Sequence, residues 1–246
     1  MKTIRLAIGY VISVPVLVLS LVYAFIPAGI LKLFGAHKAA DRWFELCGRF
    51  ISNVALFSFG VKIHVDGREN VPPVTNICYM ANHQSMLDIL AFAGPAKLWA
   101  GIMAKAEARR IPILNLWCYA IGCVFIERTS PHDSIKAILK GVQRLKEGKP
   151  ILIFPEGTRS KVDTIGEMKN GSLKLATRSK AVIVPITIKG LRYGLEGIKD
   201  FKRVHAYISI GKPIYTASLS PEEIATLHER VYGEIDKRFH ELPNHS

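Results

Sequence analysis

Residues Asn76 to Phe92 read NICYMANHQSMLDILAF. The stretch starts as a short apolar run rich in strand-favouring residues, Asn76 to Met80. It turns polar from Asn82 to Asp88 and resumes as the apolar run Ile89 to Phe92. An apolar run bounded by turn residues predicts a buried strand, so the segment reads as strand, turn and helix. The same alternation recurs outward in both directions. Val61-Lys62-Ile63-His64-Val65 alternates as a half-buried strand does. Cys123 to Ile126, Ile151 to Phe154, Ala181 to Ile188 and Val204 to Ile210 are further strand candidates, nearly continuous apolar runs that imply cover on both faces. Between them, Ser130-Pro131-His132-Asp133 offers an N-cap serine and a first-turn proline, followed by the stripe Ile135, Ile138, Leu139, Val142 and Leu145. Ser220-Pro221-Glu222-Glu223 forms a capping box ahead of Ile224, Leu227, Val231, Ile235 and Phe239. The expected fold class is α/β, a mixed central sheet flanked by helices, with an N-terminal helical membrane anchor.

The anchor is read from Leu6 to Leu31, which holds no charged residue and exceeds the roughly 20 residues needed to cross a bilayer core. Pro15, Pro27 and Gly29 interrupt it, so a single span and two short helices dipping into one leaflet are both open. Ala39 to Phe59 is amphipathic at first and nearly all apolar later. It is a helix packed on the core or an interfacial helix, and its aromatic content favours the second. These readings divide the chain into residues 1–60, membrane-associating and helical, and residues 61–246, the globular domain.

With 49% hydrophobic against 22% charged residues, the composition of the 246-residue chain is globular. A formal charge of +13 points to an anionic partner, and the apolar front selects a membrane surface. No nucleic-acid reading motif is present, and nucleic acid is not expected as a partner. Cys47, Cys78, Cys118 and Cys123 stand singly, without metal-ligand spacing, so no metal site is expected and the thiols read as buried in a reducing compartment.

Five positions separate His83 from Asp88. On a regular helix such residues point about 140° apart, so His83 must lie in the turn if it is to touch Asp88. There the imidazole could take a hydroxyl proton while the carboxylate fixes its tautomer; a purely structural histidine remains the alternative. Ser85 invites a nucleophile reading, but no G-x-S-x-G elbow occurs in the chain. Phe154-Pro155-Glu156-Gly157-Thr158-Arg159-Ser160 closes another strand. Gly157 would let backbone amides approach an oxyanion, Arg159 could grip a phosphate, and Glu156 could accept from a substrate hydroxyl. A turn closed by a local Glu–Arg pair is the bland reading. Gly122 to Arg128 is another strand ending on an arginine, Lys105 after the run Leu98 to Met103 is a further cation, and Pro185 in Val184-Pro185-Ile186 implies an edge or bulge.

In this order, N-H-x-x-x-x-D, G-x-x-F-I-x-R, F-P-E-G-T-R-S and V-P-I closely resemble the glycerolipid acyltransferase family, over roughly the middle half of the chain. The resemblance implies His83 as general base and Asp88 as its orienting partner. It implies an acceptor site of Arg128, Glu156, Gly157, Thr158 and Arg159, with Lys105 added and the arginines on a phosphate. Pro185 falls to the acyl-donor or acyl-chain pocket. The implied partners are a lysophospholipid acceptor, an acyl-carrier protein or acyl-CoA donor and the membrane. No cofactor or metal is implied. The expected location is the cytoplasmic or inner membrane, with the catalytic domain on the cytoplasmic face. The competing expectations are another acceptor, such as glycerol 3-phosphate or a lyso-ornithine lipid, a hydrolase using Ser85, and a non-catalytic lipid binder.

Overall fold

The computed structural model describes residues 2–127, 131–160, 162–198 and 202–244. In chain order the elements are α1 (Lys2–Ser20), α2 (Ile26–Leu33), α3 (His37–Ser58), β1 (Val61–Asp66), β2 (Ile77–Ala81), α4 (Leu87–Ala93), β3 (Gly101–Lys105), α5 (Leu114–Ala120) and β4 (Val124–Ile126). There follow α6 (Pro131–Lys146), β5 (Ile151–Ile153), α7 (Leu173–Ser179), β6 (Val182–Lys189), β7 (Val204–Ile210), β8 (Ile214–Tyr215), α8 (Pro221–Ala225) and α9 (Leu227–Glu241).

The strands form one mixed sheet in the order β1-β7-β6-β2-β5-β3-β4, with β8 also pairing β6. All pairs are parallel except β6 with β7 and β6 with β8. Side chains alternate across the pleat and split the interior into two cores. Ile77, Tyr79 and Ala81 of β2 join Leu87, Ala91 and Phe92 on one face, under α3 and α4. Cys78 and Met80 join Val142, Leu145, Leu175, Val231 and Ile235 on the other, under α6, α7 and α9. Cover on both sides is the reason the central strands are continuously apolar.

Two strands had no strand expectation: β3, which begins inside the apolar run Leu98 to Met103, and the two-residue β8. β3 opens on Gly101, where a Cβ would come within 2.5 Å of the Gly122 carbonyl oxygen. The two helical stripes need correction. Ile135 and Leu139 lie on the exposed side of α6, and Ala137 is buried with Val142 and Leu145. Ile224 is exposed, on the short helix α8 that ends before Thr226, where the helical run is interrupted ahead of α9. The Ser220 capping box forms as read, with Ser220 Oγ accepting from the Glu223 amide and the Glu223 carboxylate from the Ser220 amide. Ser130 and Arg128 lie outside the described residues.

Pro185 lies in the interior of the sheet, not at an edge. β8 pairs with Val182 and Ile183, while β7 pairs from Ile186 onward. The Pro185 carbonyl accepts from the Gly211 amide at 2.8 Å, so the side of the strand on which an N–H is missing faces the junction between these two partners.

Lys2 to Leu33 is one continuous helical run, long and apolar enough to cross a membrane. A π-turn at Leu21–Phe25 joins α1 to α2, and Pro27 sits in the first turn of α2. Proline leaves the carbonyl four residues back without its helical donor. The Trp43 indole N–H fills that role on Tyr23, at 3.0 Å, so Pro27 does not break the run. The chain reverses at Gly35 (φ 73°) into α3. α3 is packed: Phe44 meets Phe25 and Trp117, and Leu56 and Phe59 enter the core above β2, while Leu46, Phe50 and Phe57 stay exposed. Arg5 of α1, 4% exposed, donates to the carbonyls of Phe59 and Lys202. Residues 1–60 are thus joined to the sheet domain by buried contacts.

Candidate active site

The parallel neighbours β2 and β5 end side by side, and each releases its chain into a polar turn. After β2, Asn82 pairs its side-chain amide with both backbone groups of Ile188 on β6, at 2.8 and 2.7 Å. This side-chain substitute for a ladder pair fixes where the next residue leaves the sheet. His83 then sits in the turn, as its spacing from Asp88 requires, while Asp88 lies in the first turn of α4.

His83 Nδ1 is 2.7 Å from Asp88 Oδ2, and the same oxygen accepts the amides of Gln84 and Ser85 at 2.7 and 2.9 Å. Asp88 is fully buried, and burial pushes its carboxyl above the usual range against the pull of His83 and the two amides. A carboxylate here takes the hydrogen of Nδ1 and leaves the Nε2 lone pair free. The imidazole, 14% exposed, lies flat on Phe154 at the end of β5.

Glu156 is 6% exposed, with Oε1 accepting from the His83 amide at 2.7 Å and Oε2 from the Gly166 amide at 2.8 Å. Burial raises its carboxyl pKa, opposed by those two donors. Ser160 donates its amide to the His83 carbonyl at 2.8 Å, so the second turn grips His83 on both sides of its backbone. The Gly157 amide donates to the Phe154 carbonyl at 2.9 Å and is committed to its own turn rather than open to an oxyanion. Thr158 and Arg159 are exposed. Arg159 reaches across to Glu196, with Nη1 to Oε1 at 2.6 Å. The Ser85 hydroxyl donates to Glu196 and accepts the Leu87 amide, a helix-opening arrangement; among the described residues no hydrogen bond joins it to His83.

Lys105 ends β3, two strands from β2 on the same edge of the sheet, where its exposed ammonium pairs with Glu107 at 2.8 Å. Pro185 is buried opposite Met80 of β2. The structure therefore brings together His83, Asp88, Glu156 and Arg159, with Lys105 and Pro185 outside that hydrogen-bonded cluster. Among the described residues no group of three or more His, Cys, Asp or Glu could hold a metal ion. Glu196 and Gln84 had no place in the sequence reading. Glu196 stands in a short turn between glycines, with nothing nearby to separate it from a surface glutamate.

Fold and geometry define a mixed α/β protein that presents a buried-carboxylate histidine and an arginine at adjacent strand ends, with an apolar helical hairpin packed on the same domain. The sequence model of the family described as Acyltransferase matches residues 62–189. A 1-acyl-sn-glycerol-3-phosphate acyltransferase of Borreliella burgdorferi is 31% identical over 186 residues, 75% of this chain and 74% of that protein. A probable 1-acyl-sn-glycerol-3-phosphate acyltransferase of Mycoplasma pneumoniae is 30% identical over 94% of this chain and 91% of that protein. The crystal structure of the 1-acyl-sn-glycerophosphate (LPA) acyltransferase PlsC from Thermotoga maritima shares the fold, with TM-score 0.78 at 24% identity over 98% of this chain and 97% of that one. The chain belongs to the acyltransferase family.

Proposed function

We propose that the protein moves a fatty acyl group from acyl-carrier protein or acyl-CoA to the free sn-2 hydroxyl of 1-acyl-sn-glycerol 3-phosphate, giving phosphatidic acid. The observation that carries this reading is the His83–Asp88 pair held by the turn that bears Arg159. The names of the relatives supply the substrate class.

In this mechanism His83 Nε2 takes the proton of the acceptor hydroxyl as its oxygen attacks the thioester carbonyl. The tetrahedral intermediate collapses by breaking the C–S bond, and the imidazolium returns the proton to the leaving thiolate. Asp88 stabilises the imidazolium, and Phe154 gives it an aromatic face. Arg159, with Arg128, holds the acceptor phosphate, and Lys105 adds positive charge on the same edge. Glu156 holds His83 through its backbone, Gly157 shapes the turn, Thr158 is exposed beside Arg159, and Pro185 belongs to the acyl side of the site. No acyl-enzyme forms, since the Ser85 hydroxyl is engaged by Glu196 and Leu87.

An acceptor with one acyl chain stays with the bilayer, because each buried CH₂ contributes about 0.8 kcal/mol. The helix Lys2–Leu33 and the basic chain bring the site to an anionic lipid surface, on the cytoplasmic face of the cytoplasmic or inner membrane. The test is to supply purified full-length protein with labelled acyl-carrier protein or acyl-CoA and a panel of acceptors including glycerol 3-phosphate, lysophospholipids and a lyso-ornithine lipid. Phosphatidate formation is expected; acylation of no lysophospholipid would sink the reading.

A further inference from the structure

The Glu196 carboxylate gathers donors from two separate motifs. Oε1 accepts from Arg159 Nη1 at 2.6 Å and from the Met86 amide at 3.0 Å, and Oε2 accepts from the Ser85 hydroxyl at 2.6 Å. The Ser85 amide in turn donates to Asp88 Oδ2, which accepts from His83. Polar contacts therefore run without a gap from Arg159 through Glu196, Ser85 and Asp88 to His83. A half-exposed Arg–Glu pair by itself contributes little. Glu196 differs because an amide and a hydroxyl of the His83–Asp88 turn fix its carboxylate, so whatever that carboxylate holds is fixed relative to the same turn.

Arginine loses much rotamer freedom when it is ordered, and ordering it before the ligand arrives removes that cost from binding. Glu196 engages one Nη1 hydrogen, and a guanidinium has five N–H donors, enough to leave others for a phosphate. The carboxylate also repels a phosphate, but the arginine charge stands between the two anions.

We propose that Glu196 is a positioning residue for the acceptor, holding Arg159 at a set place relative to the His83–Asp88 turn. When a phosphate sits on Arg159, the hydroxyl of the same acceptor then meets His83 Nε2. This rests on the phosphorylated-acceptor reading above and adds to it a residue outside all four sequence motifs.

The test is a double-mutant cycle in the full-length enzyme with 1-acyl-glycerol 3-phosphate and a thioester donor, comparing Glu196→Ala, Arg159→Ala and the double variant. Glu196→Ala is expected to raise the acceptor KM about tenfold or more, the scale of one hydrogen bond to a charged group. The donor KM should stay near its starting value. In the Arg159→Ala background the same substitution should add little, because its effect runs through that arginine. Glu196→Gln keeps an oxygen for Met86 and Arg159; it should fall between wild type and Ala, and it carries the test if Glu196→Ala does not fold. Additive losses, equal loss on both substrates, or a lowered acceptor KM would overturn the proposal while the parent activity stands. A wild-type protein that acylates no phosphorylated acceptor overturns the parent reading and the proposal with it.

Discussion

The imidazole of His83 stacks on the ring of Phe154, centroids 4.0 Å apart and planes 16° from parallel, so one face of the histidine is closed by the residue that follows β5. With Asp88 on Nδ1 and Phe154 on that face, Nε2 is the atom left for a reacting hydroxyl. His83→Ala should lower kcat by about 10²-fold or more, the usual contribution of a general base. Steady-state kinetics with saturating donor and acceptor measure it. A variant that changes KM alone would remove the base assignment.

Ser85→Ala separates a nucleophile from a structural hydroxyl. It removes the cap on the Leu87 amide and one partner of Glu196, so stability should fall by about 1 kcal/mol, a typical cap loss. Activity should stay within about tenfold of wild type, the scale of one lost hydrogen bond. Abolished turnover in a protein with a normal melting curve would restore the hydrolase reading.

Asp88 gives a pH signature. Burial raises its folded-state pKa, so between the unfolded value of about 4 and the folded value the folded chain binds more of this proton than the unfolded chain does. The contribution of this group to stability is therefore largest below the unfolded value and declines as pH rises through the folded value. Compared with Asp88→Asn, the wild-type melting temperature in detergent should drop with rising pH across that window. Parallel curves would contradict the assignment. Among the described residues Asp88 Oδ1 is buried without a hydrogen-bond partner, in keeping with the desolvation that raises this carboxyl.

Arg159→Ala should raise the KM for a phosphorylated acceptor about tenfold or more and leave the donor KM much less affected, since the lost contact is to phosphate. Initial rates with each substrate varied in turn decide this, and an equal effect on both would reassign the arginine.

Arg5→Ala tests how the N-terminal hairpin is joined to the domain. The guanidinium donates to the Phe59 carbonyl at 3.1 and 2.8 Å and to the Lys202 carbonyl at 2.8 Å. Removing it takes both donors from the buried Phe59 carbonyl, at a cost of about 2 kcal/mol. Limited proteolysis should then cut faster between α3 and β1, and unchanged cleavage would show that apolar packing alone holds the hairpin.

The sequence by itself determined what is local. Strand spans follow from apolar runs, as at Ile151 to Phe154 and Val204 to Ile210, and the Ser220 capping box formed as read. Because five residues cannot bring two side chains together on a helix, His83 had to be in the turn, and it is. Only the tertiary structure decided what depends on distant partners. Pro27 does not interrupt the helix because Trp43 supplies a donor, and Pro185 is tolerated inside the sheet because two partner strands meet beside it. Ile135, Leu139 and Ile224 face outward although their spacing fits a stripe, because periodicity says which residues share a face and not how far the neighbouring element covers it. Glu196 reaches Ser85 across 111 positions and Arg159 across 37. No local pattern encodes such a meeting; it exists only once β2, β5 and β6 lie side by side in the sheet.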